Sequence, residues 1–451
     1  PFELKDPPAV LMQYFSLWLA LSTLLSCIGQ SISRRVASAG FHTTSKARRN
    51  KALRSLLFAF QPNIFPLGST PSFSIPPAPR IPAGTQLSDA SADDEIVAGP
   101  VLRPSTDPRR FDSACLAHPV VLPPSVSGTG KWQCYYYGNP GHWAASVPSF
   151  LPTGWTGLAE SNDGIHWEKI IGQEEGGSIL APTGDPSDWD GIHLGVGDVV
   201  RVSDNELHMY YFGGSGEETE GMPRGGIHMR IGKARSVDGG RSWQRMGMIL
   251  DSDDQEGLFA SWPRILQPST DAAHGTPWKM LYHAFNGTNW NAFGATSTDE
   301  GATWRRDGMI LGPGESDAWD NIGVGCRDAT RLKNGEWVMI YEAVGGESAF
   351  TGKHRIGVAR LVIDDATGST RWEKDLSISG TPGGPMLEPG VPPLQPWTSQ
   401  VIGTPNLVAL DDGSLRLYFC SKRDQQMKMH IGLLISKSGS LSPSSWEPAS
   451  L

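Results

Sequence analysis

Beyond Pro104 the apolar and polar positions fall into short alternating runs separated by Gly, Pro, Asn and Asp, and no long stretch carries a helical period. Alternation over a few residues between turn signals predicts strands. The runs recur as a unit. Each copy opens on a strand, in four of five after an aromatic residue followed by a polar one: FDSACLAHPVVL, WDGIHLGVGDVVRV, QEGLFASWPRIL, WDNIGVGCRDATRL and WTSQVIGTPNLVAL. A second, Tyr-rich strand follows: KWQCYYYG, ELHMYYFGG, WKMLYHAFNG, EWVMIYEAVGG and SLRLYFCSK. A third strand then leads into a hairpin ending at Trp167, Trp243, Trp304, Trp372 or Trp446.

A unit of three to four antiparallel strands cannot bury both of its faces alone. Five such units stacked radially can, which predicts an all-β, five-bladed β-propeller over residues 96–451. The 53 Gly, 35 Pro and 16 Trp suit many short strands and tight turns.

Charge separates a leader from this body. Residues 1–88 hold nine Lys/Arg and two acids, leaving 29 basic and 45 acidic residues for the rest. An acidic body argues against a nucleic-acid or anionic-membrane partner. From Pro7 to Ser88 there is no acid, while Ser, Arg and Pro abound, so residues 1–95 read as a targeting segment and linker, most simply a plastid transit peptide. The alternative is secretion, with YFSLWLALSTLLSCI as the apolar region. That run is short for a membrane span, and none is expected in the mature protein.

Five cysteines (Cys27, Cys115, Cys134, Cys326 and Cys420) show no metal-ligand spacing and read as buried free thiols. No cofactor motif is present, so neither a cofactor nor a metal is expected.

The hairpin Ser297-x-Asp299-x-Gly301-x-Thr303-Trp304 resembles the Asp-box of sialidases and related propellers. Ser236, Asp238, Gly240 and Trp243 repeat it, and Ser161, Asp163 and Trp167 repeat it one residue short. In such a hairpin Ser and Asp are expected to satisfy turn amides, Gly to take a positive φ and Trp to pack between strands. The hairpins are expected on the outer rim, with no chemical role.

Five units, with acids near the inner strands, resemble the arabinanase, levansucrase and invertase superfamily of glycosidases. Within that resemblance, catalysis belongs to residues that break the repeat. Asp112, Asp190 and Asp320 follow Phe111, Trp189 and Trp319 in three copies and read mainly as turn or inter-blade hydrogen bonders, Asp112 remaining a candidate. Asp198 and Asp328 stand where the other copies have Pro119, Pro263 and Pro405, at the starts of inner strands that line the channel. Glycoside cleavage needs a carboxylic acid and a carboxylate. Asp198 is thus the expected base or nucleophile, Glu256 the acid with Glu342 behind it, and Asp328 the group that tunes the acid.

Arg327-Asp328 resembles the Arg-Asp of the superfamily's RDP motif, with Ala329 in place of Pro. His118-Pro119 stands where the superfamily has Asp-Pro. His118, His193, Arg327, Trp143 and Trp262 are the candidate sugar-binding residues, with Trp155 and Trp290 as further stacking platforms. The resemblance also implies that a single axial ion is common. The function expected is hydrolysis of a furanoside or small oligosaccharide; the alternative is a non-catalytic propeller that binds glycans or acts as a scaffold in an organelle.

Overall fold

A computed structural model describes residues 99–141, 153–219, 225–268, 276–347, 352–364, 366, 369–379, 382–422 and 428–451. The targeting segment read over residues 1–95, with Cys27, and Trp143 lie outside the described residues.

The described strands form five antiparallel meanders of four. The first is β1 (Cys115–Leu122), β2 (Trp132–Asn139), β3 (Trp155–Ser161) and β4 (Glu168–Ile170). The second is β5 (His193–Ser203), β6 (Glu206–Gly214), β7 (Met229–Ser236) and β8 (Gln244–Leu250). The third is β9 (Ala260–Leu266), β10 (Trp278–Phe285), β11 (Trp290–Ser297) and β12 (Arg305–Leu311). The fourth is β13 (Gly323–Arg331), β14 (Trp337–Gly345), β15 (Lys353–Ile363) and β16 (Thr370–Lys374), joined to the third by one parallel pair, Trp290 with Gly323. The fifth is β17 (Val401–Ala409), β18 (Leu415–Lys422), β19 (His430–Ser436) and β20 (Glu447–Pro448). Among the described residues no helix exceeds four residues.

The core lies between meanders, because each sheet has two apolar faces to cover. Separate clusters join the first to the second, second to third, third to fourth and fourth to fifth, and another joins fifth to first through Tyr418, Ile431 and Leu433. The first strands pack in the same order, and β17 packs against β1. Leu102 pairs with Ile431, so the beginning of this unit is stitched into its last meander. Cys115, Cys134, Cys326 and Cys420 are buried free thiols, as expected.

Each of the first four meanders carries a buried carboxylate before its first strand. Asp112 accepts from Tyr136 (3.0 Å) and Lys169 (2.5 Å), Asp190 from Tyr211 (2.9 Å) and Arg245 (2.9 Å), and Glu256 from Tyr282 and from Arg306 (2.9 Å). Asp320 pairs with Lys374 (2.5 Å). Acid and cation come from the same meander each time, so these acids bond within their own sheet and not across to a neighbour. The fifth meander has Thr398 in place of the acid and Phe419 in place of the Tyr, and Phe419 stacks on Trp397 at 6.1 Å. Acid and hydroxyl are lost together, as a buried carboxylate without partners would require.

The Ser-x-Asp hairpins have the expected turn chemistry. Ser297 Oγ donates to Asp299 (2.7 Å) and accepts from the Gly301 amide (2.8 Å), while Asp299 accepts from the Thr303 amide (2.8 Å) and hydroxyl (2.6 Å). Gly301 has φ +78, and a Cβ there would lie 2.2 Å from the Tyr210 hydroxyl. Tyr210 belongs to the second meander and Gly301 to the third. The hairpins are therefore seams between meanders: Gly164 likewise accepts from Tyr418 (2.8 Å), and Gly239 from Gln133 (2.8 Å). Replacing Ser297 by Ala leaves the buried Gly301 amide unpaired and is expected to cost about 1–3 kcal/mol. Thermal unfolding measures this; an unchanged midpoint would mean the hairpin contributes nothing to the seam.

Candidate functional site

The five first strands are each interrupted by a bulge: at Ala117/Val120 and Val196/Asp198, opposite Leu281/His283 in β9, at Val324/Arg327 and at Gly403/Asn406. A bulge turns side chains out of the regular alternation, and bulges recur beside functional sites. Asp198 and Asp328, expected at the starts of their strands, are each the sixth residue, because the Gly-rich segments ahead of them are already paired. His118, Trp262 and Thr404 take left-handed conformations, with φ of 51, 48 and 44 degrees. Each immediately precedes the Pro of its meander. The registers correct the expected equivalence of these Pro residues with Asp198 and Asp328: Gly197 and Arg327 hold the Pro position, and the two Asp residues share the next one with Val120, Arg264 and Asn406.

Contacts across meanders hold the strained residues. The His118 amide donates to Thr404 Oγ1 (3.0 Å), and its Nε2 donates to the Gly197 carbonyl (3.1 Å). Trp262 lies between the rings of Phe212 (4.2 Å) and His283 (4.6 Å). The Thr404 amide donates to Glu342 Oε2 (2.7 Å), and His354 Nδ1 donates to Oε1 (2.5 Å). Gly403 is required beside this pair, since a Cβ there would lie 2.8 Å from the Glu342 carboxylate.

The charged centre is Arg264, from β9, with a side chain only 1% exposed. It reaches Asp198 (3.5 Å) in the second meander, the Pro119 carbonyl (3.1 Å) in the first and Asp328 (3.8 Å) in the fourth. Asp198 also accepts from the amides of Val199 (2.8 Å) and Ile265 (2.7 Å). Asp328 accepts from the amides of Ala329 (3.0 Å) and Leu407 (2.7 Å) and from Asn406 Nδ2 (2.7 Å). Asn406 in turn accepts from the Val121 amide (2.9 Å), which brings the chain of bonds back to the first meander. Arg327 donates to the carbonyls of Gly325 (3.2 Å), Leu281 (3.3 Å) and Trp262.

Burial dominates the titration of these groups. It raises Asp198 to about 6 against the opposing pull of Arg264. It holds His118 and His283 well below the ordinary histidine range, so both are neutral, and it lowers Arg327 to about 9.

Asp198, Asp328, Arg327, His118 and Trp262 thus come together, and Glu342 joins through Thr404. Glu256 and Asp112 do not. Both are fully buried and held by partners inside their own meanders, so neither presents a proton to a ligand. His193 is buried in the second meander, donating to the Gly226 carbonyl (2.8 Å). Trp155 is buried in the core, and Trp290 packs on Phe285 at 4.7 Å.

Arg264, Asn406, Thr404, His283 and His354 were not among the residues singled out in the sequence. Arg264 and Asn406 had a readable signal. They follow Pro263 and Pro405, and the paired registers put them at the same position as Val120, Asp198 and Asp328, so this one position differs from copy to copy. Among the described residues no three His, Cys, Asp or Glu side chains converge as ligands of a metal ion.

No protein-family profile and no curated protein sequence matches the chain. Solved structures do. One is from the GH130 family of mannoside phosphorylases, which contains glycoside hydrolases that target beta-1,2 mannosidic linkages in Candida mannan; it aligns at a TM-score of 0.53 with 17% identity over 79% of this chain and 98% of that one. A glycosyl hydrolase from Bacteroides ovatus aligns at 0.50 with 14% identity over 80% and 98%. An alpha-L-arabinofuranosidase from Lactobacillus brevis aligns at 0.50 with 14% identity over 75% and 97%. At such identities the likeness establishes a shared fold. The chain has the fold of these glycoside hydrolases, as its resemblance to the glycosidase superfamily implied.

The raised Asp198 has a thermodynamic consequence. The folded chain keeps its proton to a higher pH than the unfolded chain, so this group's contribution is greatest at low pH. It falls between about pH 4 and 6, by roughly 3 kcal/mol for a two-unit shift. Melting Asp198→Asn beside the wild type from pH 4.5 to 7.5 should show the variant gaining on the wild type as pH rises. A pH-independent difference would rule out this carboxyl as the titrating group.

Proposed function

We propose that this chain is a closed five-bladed β-propeller of the glycoside hydrolase type, each meander one blade, and that it cleaves an O-glycosidic bond where its first strands meet. The observation that carries this reading is the convergence of Asp198, Arg264 and Asp328, from three different meanders, with Glu342 tied to the same place through Thr404 and His118. Perturbed titration in a shared polar centre is characteristic of functional sites.

In this reading Asp198, with its pKa near 6, is the acid that gives its proton to the leaving glycosidic oxygen. Glu342 takes a proton from the water that attacks the anomeric carbon, and His354 orients it. Asp328 holds Asn406 and the neighbouring strand in position. Trp262, half-buried between Phe212 and His283, offers the sugar its ring edge. The acid's role moves from Glu256, which is sealed inside its blade, to Asp198.

A second reading, a propeller that binds glycans without cleaving them, is favoured by one observation. The oxygens of Asp198 and Asp328 are engaged by amides and Arg264, and His118 stands where the superfamily has Asp. The full chain should be assayed on aryl furanosides, aryl pyranosides, sucrose and β-1,2-mannobiose beside Asp198→Asn and Glu342→Gln. Turnover that drops at least a hundredfold in both folded variants is expected. A folded wild type that releases no product from any of these sugars would leave the binding reading standing instead.

The acid-free segment from Pro7 to Ser88 extends the proposal to import into a plastid. Residues 1–98 fused to a fluorescent protein should direct it to plastids. Accumulation in the secretory pathway would overturn that location.

A further inference from the structure

A cavity of about 520 Å³ opens in the second meander, lined by Pro186, Ser187, Trp189, Ser215, Glu217, Arg230, Met248 and Asp251. None of these residues belongs to the network around Arg264. The size is ordinary for a small-molecule site.

The two sides of the cavity differ in chemistry. On one side Trp189 is held rigidly: it packs on Tyr211 at 5.2 Å, and a Cβ on Gly232 would lie 2.1 Å from its ring, so only glycine lets the indole lie across the sheet. Pro186 and the half-exposed Met248 extend this apolar wall. On the other side Arg230, its side chain 12% exposed, donates to Glu217 (2.6 Å), Asp251 (3.1 Å) and Ser215 Oγ (3.5 Å). His228 braces Asp251 from behind through Nε2 (2.6 Å), with Ser252 Oγ 3.3 Å from the same nitrogen.

The charge balance selects the ligand. One guanidinium and the His228 imidazole face two carboxylates, and Glu217 and Asp251 stay 54% and 38% exposed with lone pairs free to accept. An anion would meet excess negative charge, and a purely apolar ligand would strand the ion pairs. A neutral ring with hydroxyls on its edge and C–H groups on its face satisfies both walls. Hydroxyls bond the fixed carboxylate and guanidinium array, and the C–H face covers Trp189, Pro186 and Met248.

We propose that this cavity is a second carbohydrate site, which holds one neutral sugar residue within the second meander, apart from the catalytic centre. It rests on the carbohydrate reading above for the class of its ligand only. Binding here needs no hydrolysis, so the two proposals can fail separately.

The test is saturation-transfer NMR of the full chain with mannose, glucose, arabinose, sucrose and β-1,2-mannobiose. The panel is repeated on Glu217→Ala, on Met248→Asp, which puts a charge on the apolar wall at an exposed position, and on Asp198→Asn. Transfer to at least one sugar is expected, with affinity at least tenfold weaker in Glu217→Ala and Met248→Asp and unchanged in Asp198→Asn. Aryl glycoside turnover should be the same in Glu217→Ala as in the wild type. The proposal is overturned if no sugar binds at 10 mM, or if binding ignores both cavity variants and disappears in Asp198→Asn.

Discussion

The arrangement depends on one buried guanidinium. Arg264 leaves water almost completely, and such a group is tolerated only when charges and acceptors meet it in good geometry. Its partners come from the first, second and fourth meanders, so the guanidinium gains its full set only when all three have arrived. Asp328 and Asn406 carry the bonds into the fifth meander and back to the first. The apolar faces between sheets supply the larger driving force, but that force is nondirectional and would tolerate sliding. The polar centre fixes how the five sheets register.

Two kinds of polar residue are therefore present. Asp112, Asp190, Glu256 and Asp320 recur because the first four meanders face the same local problem of fastening the outer strand to the opening loop. Each solves it with a cation from the same sheet. Arg264, Asp198, Asp328, Asn406 and Glu342 occur once each because the place where first strands meet is shared. A shared place needs different groups from different directions, which is also what acid–base chemistry needs. Burial raises the pKa of Asp198 while Arg264 and the amides that bind it into the scaffold pull it down, so the two act in opposite directions on one carboxyl.

The strain at His118, Trp262 and Thr404 belongs to the same account. Each residue sits before a Pro in a bulge and is held by contacts with a neighbouring sheet. Backbone conformations of that kind persist only where surroundings over-determine them. The Glu342 carboxylate, the Thr404 amide and His354 form one such over-determined point, and Gly403 leaves the space for it.

The sequence by itself determined the all-β class, the five recurring units, the turn chemistry of the Ser-x-Asp hairpins and the buried free thiols. All of these follow from period, turn residues and local hydrogen bonding, which act over a few neighbouring residues. It also pointed to Asp198 and Asp328, because a break in a repeat is visible in one dimension. What it could not decide was which acids face each other. Glu256 and Glu342 look alike as long-reaching carboxylates, yet Arg306 and Tyr282 seal the first inside its sheet, whereas Thr404 and His354 hold the second at the shared centre. Arg264 lies 66 residues from Asp198 and 64 from Asp328, and their meeting is a product of packing between sheets. Only the tertiary structure brings those charges together, because desolvation and pairing depend on neighbours in space.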